Sequence, residues 1–319
     1  MSGTPLQESA RPAEPALAPD PPAGRPPRGT PRELLALTRP YQWVKNLIMV
    51  PLPLLHPQVW TGRGVVGLAA AVVVFVLASC VVYIANDIAD RERDGRHPVK
   101  RHRPLASGRL GVPAAAALGT VLLLALAGLV AVVEPGLAWP VGAYLAINAA
   151  YGYGLKHVPV LEVFLVAAGF GLRLVAGYVA VALDTSWWPT LGVFLLAVVV
   201  VLGKRRRELE LADQAHRPAL KGYNAKLLDQ LVLLSAGLGV TTLLFFLNSY
   251  EPPYGVWAAP LLLPLTLLGL FRYMQLVTVS GGGSDPVLTL VRDPVIVTAA
   301  VLNVLIWAGV QAVVHGGMQ

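Results

Sequence analysis

The sequence predicts an all-α, polytopic membrane protein, and three of its properties lead to that fold class. Of the 319 residues, 55% are hydrophobic and only 13% are charged, whereas about a quarter of the residues in soluble domains are charged. Apolar runs of roughly 20 residues recur, the length that an α-helix needs to cross a hydrocarbon core. Because helices satisfy their own backbone in lipid and no alternating strand pattern is present, we expect helices throughout.

The chain begins with a segment that differs in composition from the rest. Residues 1–31 contain nine of the 27 prolines and little apolar content, so they cannot bury enough surface to offset the cost of ordering. We expect a disordered, Pro-rich cytoplasmic tail over 1–31 and a single membrane domain over 32–319. No apolar stretch precedes residue 34, so we expect no cleavable secretory signal.

Nine candidate membrane spans follow this tail. The first is the weakest, because Gln42, Lys45 and Asn46 interrupt it and three prolines would kink it. The predicted spans are 41–57, 64–85, 113–133, 136–155, 160–183, 187–203, 228–248, 257–277 and 293–314.

The basic residues predict the orientation of these spans, since Lys and Arg concentrate in cytoplasmic loops. Nearly all loop cations fall on one side, and only Arg63 falls on the other. The N-terminus is therefore expected in the cytoplasm and the C-terminus outside. The net charge of +7 then reflects topology and anionic substrates, and we expect no nucleic-acid partner. The single Cys80 lies within an apolar run, which excludes an intrachain disulfide.

An acidic cluster is predicted where the second span ends. If the helix continues, Asn86, Asp87, Asp90 and Asp94 lie within about 100° of one face. Like charges on one face repel unless a cation binds there. Mg²⁺ takes oxygen ligands from one or two carboxylates together with water and substrate phosphates. The spacing indicates a Mg²⁺–diphosphate site, and the alternative is a solvated helix end with surface ion pairs.

This motif also resembles that of a known family. The pattern N-D-x-x-D-x-x-x-D at 86–94, followed by K-R-H-R-P-L-A-S-G at 100–108, resembles the first signature of the UbiA superfamily of intramembrane prenyltransferases. The resemblance extends from Arg39-Pro40 through the ninth span. It implies a nine-helix UbiA-type bundle around a central cavity, with Asp-rich motifs that hold Mg²⁺ beneath cytoplasmic cap loops.

The second signature departs from the family pattern. Most members carry a second Asp-rich motif after span six, but this chain has four consecutive cations, Lys204 to Arg207, followed by Glu208. An Arg fork binds phosphate oxygens bidentately. The substitution therefore indicates that the site binds more phosphate groups than those of one Mg²⁺-bridged diphosphate. A basic loop that only sets topology is the alternative.

Two further segments are similar to one branch of the superfamily, the decaprenyl-phosphate phosphoribosyltransferases. They are Q-W-V-K-N at 42–46 and Y-G-Y-G-L-K at 151–156. The resemblance implies phosphoribosyl pyrophosphate as donor and a polyprenyl phosphate, such as decaprenyl phosphate, as acceptor. It further implies that pyrophosphate is released and that the lipid-linked product is used in cell-wall arabinan synthesis. The implied location is the bacterial plasma membrane.

One cation within a span is a further candidate. Arg173 lies near the middle of span five, where a lone charge is costly and is usually functional, although a structural role is the alternative. Glu162 lies on the same face and could accept from Lys156 or from a sugar hydroxyl. The predicted catalytic and metal-binding residues are Asp87, Asp90 and Asp94, with Asn86 as a further metal ligand, and the predicted substrate-binding residues are Lys45, Asn46, Tyr83, Arg103, Tyr151, Tyr153, Lys156, Glu162, Arg173, Lys204, Arg205, Arg207 and Glu208.

Two other functions fit parts of the pattern. An aromatic prenyltransferase of quinone or haem biosynthesis would share the fold, but the missing second acidic motif argues against it. A membrane transporter would place its acidic site near the midplane, whereas these carboxylates lie at one face. Membrane lipid is the remaining expected partner, and the sequence leaves a homo-oligomer open.

Overall fold

The computed structural model describes residues 30–56, 59–210, 218–249, 254–279, 290 and 292–316. These residues form α-helices and 3₁₀ helices, with no β-strand among them, so the predicted all-α fold is confirmed. The α-helices are α1 (Pro31–Leu37), α2 (Gly62–Ala89), α3 (Arg91–Gly95), α4 (Val112–Val133), α5 (Ala138–Tyr153), α6 (Leu161–Ala180), α7 (Trp187–Glu210), α8 (Ala225–Asn248), α9 (Tyr254–Thr278) and α10 (Pro294–Gly316). The 3₁₀ helices are Pro40–Met49, Pro53–Leu55, Lys100–His102, Pro135–Leu137, Leu155–His157 and Pro218–Gly222.

The predicted tail lies almost wholly outside the described residues. Its last residue, Pro31, already begins α1, because Thr30 and Glu33 form a reciprocal capping box. The Thr30 hydroxyl accepts from the Glu33 N–H and the Glu33 carboxylate accepts from the Thr30 N–H, which satisfies backbone donors that a helix start leaves open.

Six of the described helices are long and apolar enough to cross a membrane. Their bounds agree with predicted spans within a few residues, except that α7 continues to Glu210, beyond its predicted end at 203. The six helices are α2, α4, α6, α7, α8 and residues 257–278 of α9. Helix α5 has 16 residues, fewer than a full span, and the described side chains of α10 form an apolar segment over Pro294–Val310 within a helix of 23 residues. The predicted number of nine spanning helices is therefore not confirmed.

The first predicted span, 41–57, differs most from the structure. Its main element is the 3₁₀ helix Pro40–Met49, called here the N-terminal 3₁₀ helix, and not a membrane-spanning α-helix. The residue before it, Arg39, has a left-handed backbone with φ of 50°, and Pro51 and Pro53 follow it closely. Proline supplies no backbone donor to a helix. The segment instead packs one face, including Asn46 and Met49, against α2 and α6.

The helices pack as two halves. The N-terminal half comprises the N-terminal 3₁₀ helix with α2, α4, α5 and α6, around a core that includes Met49, Phe75 and Tyr144. The C-terminal half comprises α7 to α10, around a core that includes Val198 and Val232. Helix α6 packs against both α5 and α7, so it joins the two halves.

An elongated apolar cavity of about 380 Å³ lies within the C-terminal half. Along α7 its lining extends from Trp188 to Val200, a distance of about 18 Å at the rise of an α-helix. Aliphatic side chains and glycines of α8, α9 and α10 form the other walls, and Thr266 and Asn303 are among the few polar residues. A volume of this size with a mostly apolar lining is typical of a ligand pocket.

Candidate active site

The acidic cluster, Asp87, Asp90 and Asp94, lies where α2 gives way to α3. A single acidic face would need one helix to continue through Asp94. Instead α2 ends at Ala89, and Asp90 has φ of −94° and ψ of 4°. Asp94 therefore belongs to the separate short helix α3. Two carboxylates of the cluster, Asp87 and Asp94, are nevertheless almost fully buried, with exposed fractions of 4% and 3%. Buried carboxylates need charged or hydrogen-bonding partners.

Arg103 brings these two buried carboxylates together. Its Nη1 donates to Asp87 Oδ1 at 3.1 Å and to Asp94 Oδ2 at 2.6 Å. One guanidinium thus joins acids that lie on different helices, and the break at Asp90 does not separate them.

Arg39 is a site residue that the sequence analysis did not assign. Its Nη2 lies 2.5 Å from Asp87 Oδ1, and its guanidinium lies 5.1 Å from the centre of the Tyr83 ring. The left-handed backbone of Arg39 stands at the N-cap of the N-terminal 3₁₀ helix. The two partners are 48 residues apart in sequence, so only the Arg-Pro pair at positions 39–40 could have drawn attention to this arginine.

The third acid of the cluster, Asp90, has different cationic partners. Lys156 Nζ lies 3.0 Å and 3.2 Å from the two carboxylate oxygens of Asp90, and Arg93 Nη2 lies 2.8 Å from Oδ2. Lys156 belongs to the connection between α5 and α6. Lys156, one of the two partners considered for Glu162, therefore pairs with Asp90.

The acidic cluster has the donor chemistry of a Mg²⁺ site but not a preformed cage. Among the described residues there is no group of three or more His, Cys, Asp or Glu residues placed to hold a metal ion. Mg²⁺ usually binds one or two carboxylates and takes its other ligands from water and substrate phosphates. The carboxylate oxygens of Asp87 and Asp94, held within reach of one guanidinium group, fit that smaller requirement.

The cationic run at the end of α7 is engaged with carboxylates of the protein. Arg205 donates from Nε to Glu162 Oε1 at 2.6 Å and from Nη2 to Glu162 Oε2 at 3.1 Å, and it also bonds to Glu208. Glu162 is fully buried, and Arg205 is 3% exposed. This ion pair joins the start of α6 to the end of α7, and hence the two halves of the bundle.

The neighbouring arginines form pairs closer to the surface. Arg206 bonds to Glu210 at 2.6 Å and to Asp229 at 3.1 Å, and Arg207 bonds to Glu210 at 2.9 Å. Lys204 lies exposed on α7. The prediction that this run binds substrate phosphates stays a prediction, because its three arginines contact protein carboxylates.

Arg173 and Asn46 meet in a buried network within the N-terminal half. Arg173 donates to Asn46 Oδ1 at 2.7 Å, to the Gly169 carbonyl at 2.7 Å, to Tyr144 OH at 3.1 Å and to Ser79 Oγ at 3.2 Å. The exposed fractions of Arg173 and Asn46 are 5% and 0%. No carboxylate forms an ion pair with Arg173 in the part of the chain that the structure describes.

The face of the Tyr144 ring lies 4.7 Å from the Arg173 guanidinium, which further stabilises a buried cation. Arg173 therefore packs inside the bundle and does not pair with Glu162, although the two share a helix face. Ser79 and Tyr144 were not predicted, since a lone serine or tyrosine in an apolar span gives no signal of its own.

The other predicted residues occupy varied positions. Asn86 is half-buried, and a methyl group added to Gly152 would lie 3.2 Å from its Oδ1. Lys45 and Tyr151 are half-buried on the N-terminal 3₁₀ helix and α5. Tyr153 is 94% exposed, so the structure does not bring it into the buried part of the site.

Comparison with known proteins gives a consistent picture. Residues 55–284 match the UbiA prenyltransferase family. The decaprenyl-phosphate phosphoribosyltransferase of Corynebacterium glutamicum is 31% identical over 300 residues, which cover 91% of this chain and 88% of that protein. The enzyme of the same name from Mycolicibacterium smegmatis is 34% identical over 271 residues, covering 81% of this chain and 77% of that protein.

A solved structure supports the fold independently. A UbiA homolog from Archaeoglobus fulgidus, bound to DMAPP and Mg²⁺, superposes with a TM-score of 0.67 at 18% identity. The match covers 88% of this chain and 99% of that one. At this identity the likeness concerns the fold alone.

Proposed function

Because the chain belongs to the UbiA prenyltransferase family, we propose that it transfers a 5-phosphoribosyl group from phosphoribosyl pyrophosphate to a polyprenyl phosphate such as decaprenyl phosphate, releasing pyrophosphate. One observation carries the proposal. Carboxylates and cations alternate in a single cluster, in which Arg39, Arg103 and Lys156 contact the three acids. Such a cluster can bind a metal ion and several phosphate groups at once. The similarity to enzymes named for this activity supports the choice of substrates.

The acids would hold Mg²⁺. Asp87 and Asp94, with Asp90 and Asn86 beside them, would supply oxygen ligands to a metal ion, which when bound would neutralise charge on the leaving pyrophosphate. Arg39, Arg103 and Lys156 would donate hydrogen bonds to the phosphate oxygens of the donor. Charge-assisted bonds of this kind are roughly twice as strong as neutral ones, so the cations would fix the donor in one orientation.

The acceptor needs little activation. A phosphate monoester is already anionic near neutral pH, so its oxygen can attack the anomeric carbon without a general base. Direct displacement of pyrophosphate inverts the configuration at that carbon. A product that keeps the donor's anomeric configuration, read from the coupling constants of its NMR spectrum, would contradict this course.

The isoprenoid tail of the acceptor would occupy the cavity between α7 and α10. Its aliphatic lining offers a mostly apolar surface about 18 Å long. The cavity also approaches the charged end of the bundle, since Val200 in its wall lies little more than one helical turn before Arg205. A tail in the cavity and a phosphate near the acidic cluster would then belong to the same lipid.

The distribution of charge supports a location for the enzyme. The basic loops would face the cytoplasm, with the active site and the N-terminus on that side and the C-terminus outside. In a bacterial plasma membrane this gives the site access to a soluble, highly charged donor and to a lipid acceptor. The product would serve as a precursor of cell-wall arabinan.

A transfer assay tests the proposal. Purified protein in detergent is incubated with Mg²⁺, decaprenyl phosphate and phosphoribosyl pyrophosphate labelled in the ribose, and the lipid fraction is analysed. We expect label in the lipid with the wild-type chain and with Asp184→Asn, a control at an exposed carboxylate, but not with Asp90→Ala. An unlabelled lipid fraction, together with transfer from a labelled prenyl diphosphate to an aromatic acid in a parallel incubation, would overturn the proposal in favour of an aromatic prenyltransferase.

A further inference from the structure

The connection between α5 and α6, which carries Lys156, contains a strained turn. Val160 has φ of 65° and ψ of −52°, and the N–H of Leu161 donates to the carbonyl of Pro159 at 2.7 Å. This is the rare γ-turn with positive φ at its central residue, a strained conformation. A β-branched residue at positive φ is a true outlier. Such strain persists only where the surrounding structure imposes it.

The side chain of Val160 does not impose the turn, because it is 40% exposed. The backbone does: the N–H of Val160 donates to the hydroxyl of Tyr223 at 2.6 Å. Tyr223 is 7% exposed and lies 63 residues away in sequence, directly after the 3₁₀ helix Pro218–Gly222. One phenol oxygen thus links the segment before α8 to the turn before α6.

A second contact clamps the same turn. A Cβ atom added at Gly222 would lie 2.3 Å from Pro159 Cγ, so Gly222 packs directly on the proline that precedes Val160. The two contacts involve adjacent residues in each segment: Gly222 and Tyr223 in one, Pro159 and Val160 in the other. Together they fix the path of the chain just after Lys156, whose Nζ lies 3.0 Å from Asp90.

We propose that Tyr223 is a positioning residue, which holds Lys156 against Asp90 by clamping the turn at Val160. The consequence for catalysis rests on the proposed function, in which Lys156 binds a phosphate of the donor. Tyr223 itself need not touch the substrate. Its hydroxyl would act through Val160 and the short connection back to Lys156.

The first test measures the position of Lys156 without any substrate. Purified protein is treated with an amine-reactive acetylating reagent, and the rate at Lys156 is measured by peptide mass spectrometry, with exposed Lys226 as internal reference. Tyr223→Phe should raise the rate at Lys156 about fivefold, the factor that corresponds to one lost hydrogen bond. An unchanged rate at Lys156 would overturn the proposal.

Two further variants separate this role from general loosening of the fold. Gly222→Ala should also raise the rate, because the added methyl group displaces Pro159, whereas Gly128→Ala on α4, with open space around it, should not. Val160→Gly combined with Tyr223→Phe should restore protection, since glycine adopts positive φ without strain. A double variant as reactive as Tyr223→Phe alone would contradict the role of the strained turn.

Kinetics then connect the clamp to the reaction. Tyr223→Phe should raise the KM for the donor about fivefold with kcat within about twofold, and it should add nothing in a Lys156→Ala background. Additive effects would show that Tyr223 does not act through Lys156. If the labelling result holds but no chain transfers phosphoribose, the proposed function fails while the positioning role stands.

Discussion

The two halves of the bundle treat buried polar groups in opposite ways. In the N-terminal half Arg173 donates four hydrogen bonds, and Asp87 is bonded by two arginines. In the C-terminal half the cavity is lined mostly by aliphatic groups, and Asn303 makes one long contact of 3.4 Å with Thr266. Directional bonds fix charged groups at defined distances, whereas an apolar wall selects by shape. Under the proposed function, the first half would bind the donor's phosphates and the second would hold the lipid tail.

The joint between the halves is itself charged. Glu162 at the start of α6 and Arg205 near the end of α7 form a buried, bidentate pair. Because burying two charges costs several kcal/mol each, we expect this pair to contribute to the specificity of packing more than to net stability. It fixes the start of α6 against the end of α7, where the two halves meet.

The largest expected effect lies in the acidic cluster of the N-terminal half. Asp87→Asn removes the charge that binds Arg39 and Arg103, so Arg39 loses its anionic partner, Arg103 keeps only Asp94, and a bound metal would lose a ligand. We expect kcat to fall at least about 100-fold, the size of effect seen when one charged or hydrogen-bonding group is removed from an active site, with unchanged elution of the purified protein. Loss below about tenfold would remove Asp87 from the mechanism.

The Glu162–Arg205 ion pair between the halves should give the next largest effect, which is on stability. Glu162→Gln leaves Arg205 buried with Glu208 as its remaining anionic partner, which should lower the free energy of unfolding by about 3 kcal/mol. Unfolding in mixed detergent micelles measures this. Glu210→Gln on the same run is the control, since its pairs are partly exposed, and it should cost less than about 1 kcal/mol. Equal losses in the two variants would contradict the buried joint.

A smaller effect is expected deep in the N-terminal half. Arg173→Lys keeps the charge but cannot reach Asn46, Gly169 and Tyr144 together, because an ammonium group lacks the fork of a guanidinium. Losing two hydrogen bonds of about 1 kcal/mol each should lower stability by about 2 kcal/mol. We also expect a raised donor KM, since Asn46 belongs to the 3₁₀ helix that Arg39 precedes. Wild-type stability would show that the network is not specific for arginine.

The apolar parts of this fold were predictable because hydrophobic length determines them. The ranges of α4, α6 and α8 agree with the predicted spans within a few residues, and the motif at 86–94 located the acidic cluster. The contacts that the sequence did not predict join residues that are distant in sequence. Arg39 contacts Asp87, which is 48 residues away in sequence, and Arg205 pairs with Glu162, which is 43 residues away. Neither spacing nor composition specifies such contacts, because packing of complete helices creates them.

Local backbone geometry caused the remaining differences. The first span is a 3₁₀ helix that follows a left-handed Arg39, and the second ends at Ala89 before the acidic motif is complete. A pattern of polar residues predicts which side chains are available. It does not predict where a helix breaks, nor that Arg103 would reunite Asp87 with Asp94.

Filling the cavity tests most directly whether one half binds the head groups and the other binds the lipid tail. Gly239 lines it, and a Cβ atom added there would make only an ordinary contact of 3.8 Å with Leu195, so Gly239→Leu should place a side chain where the lipid tail would lie. Gly128→Leu on the exposed surface of α4 is the matched control. We expect Gly239→Leu to raise the KM for decaprenyl phosphate about fivefold, an effect of about 1 kcal/mol, and to leave the KM for phosphoribosyl pyrophosphate unchanged. A raised donor KM with an unchanged acceptor KM would contradict the assignment of head groups to one half and the tail to the other.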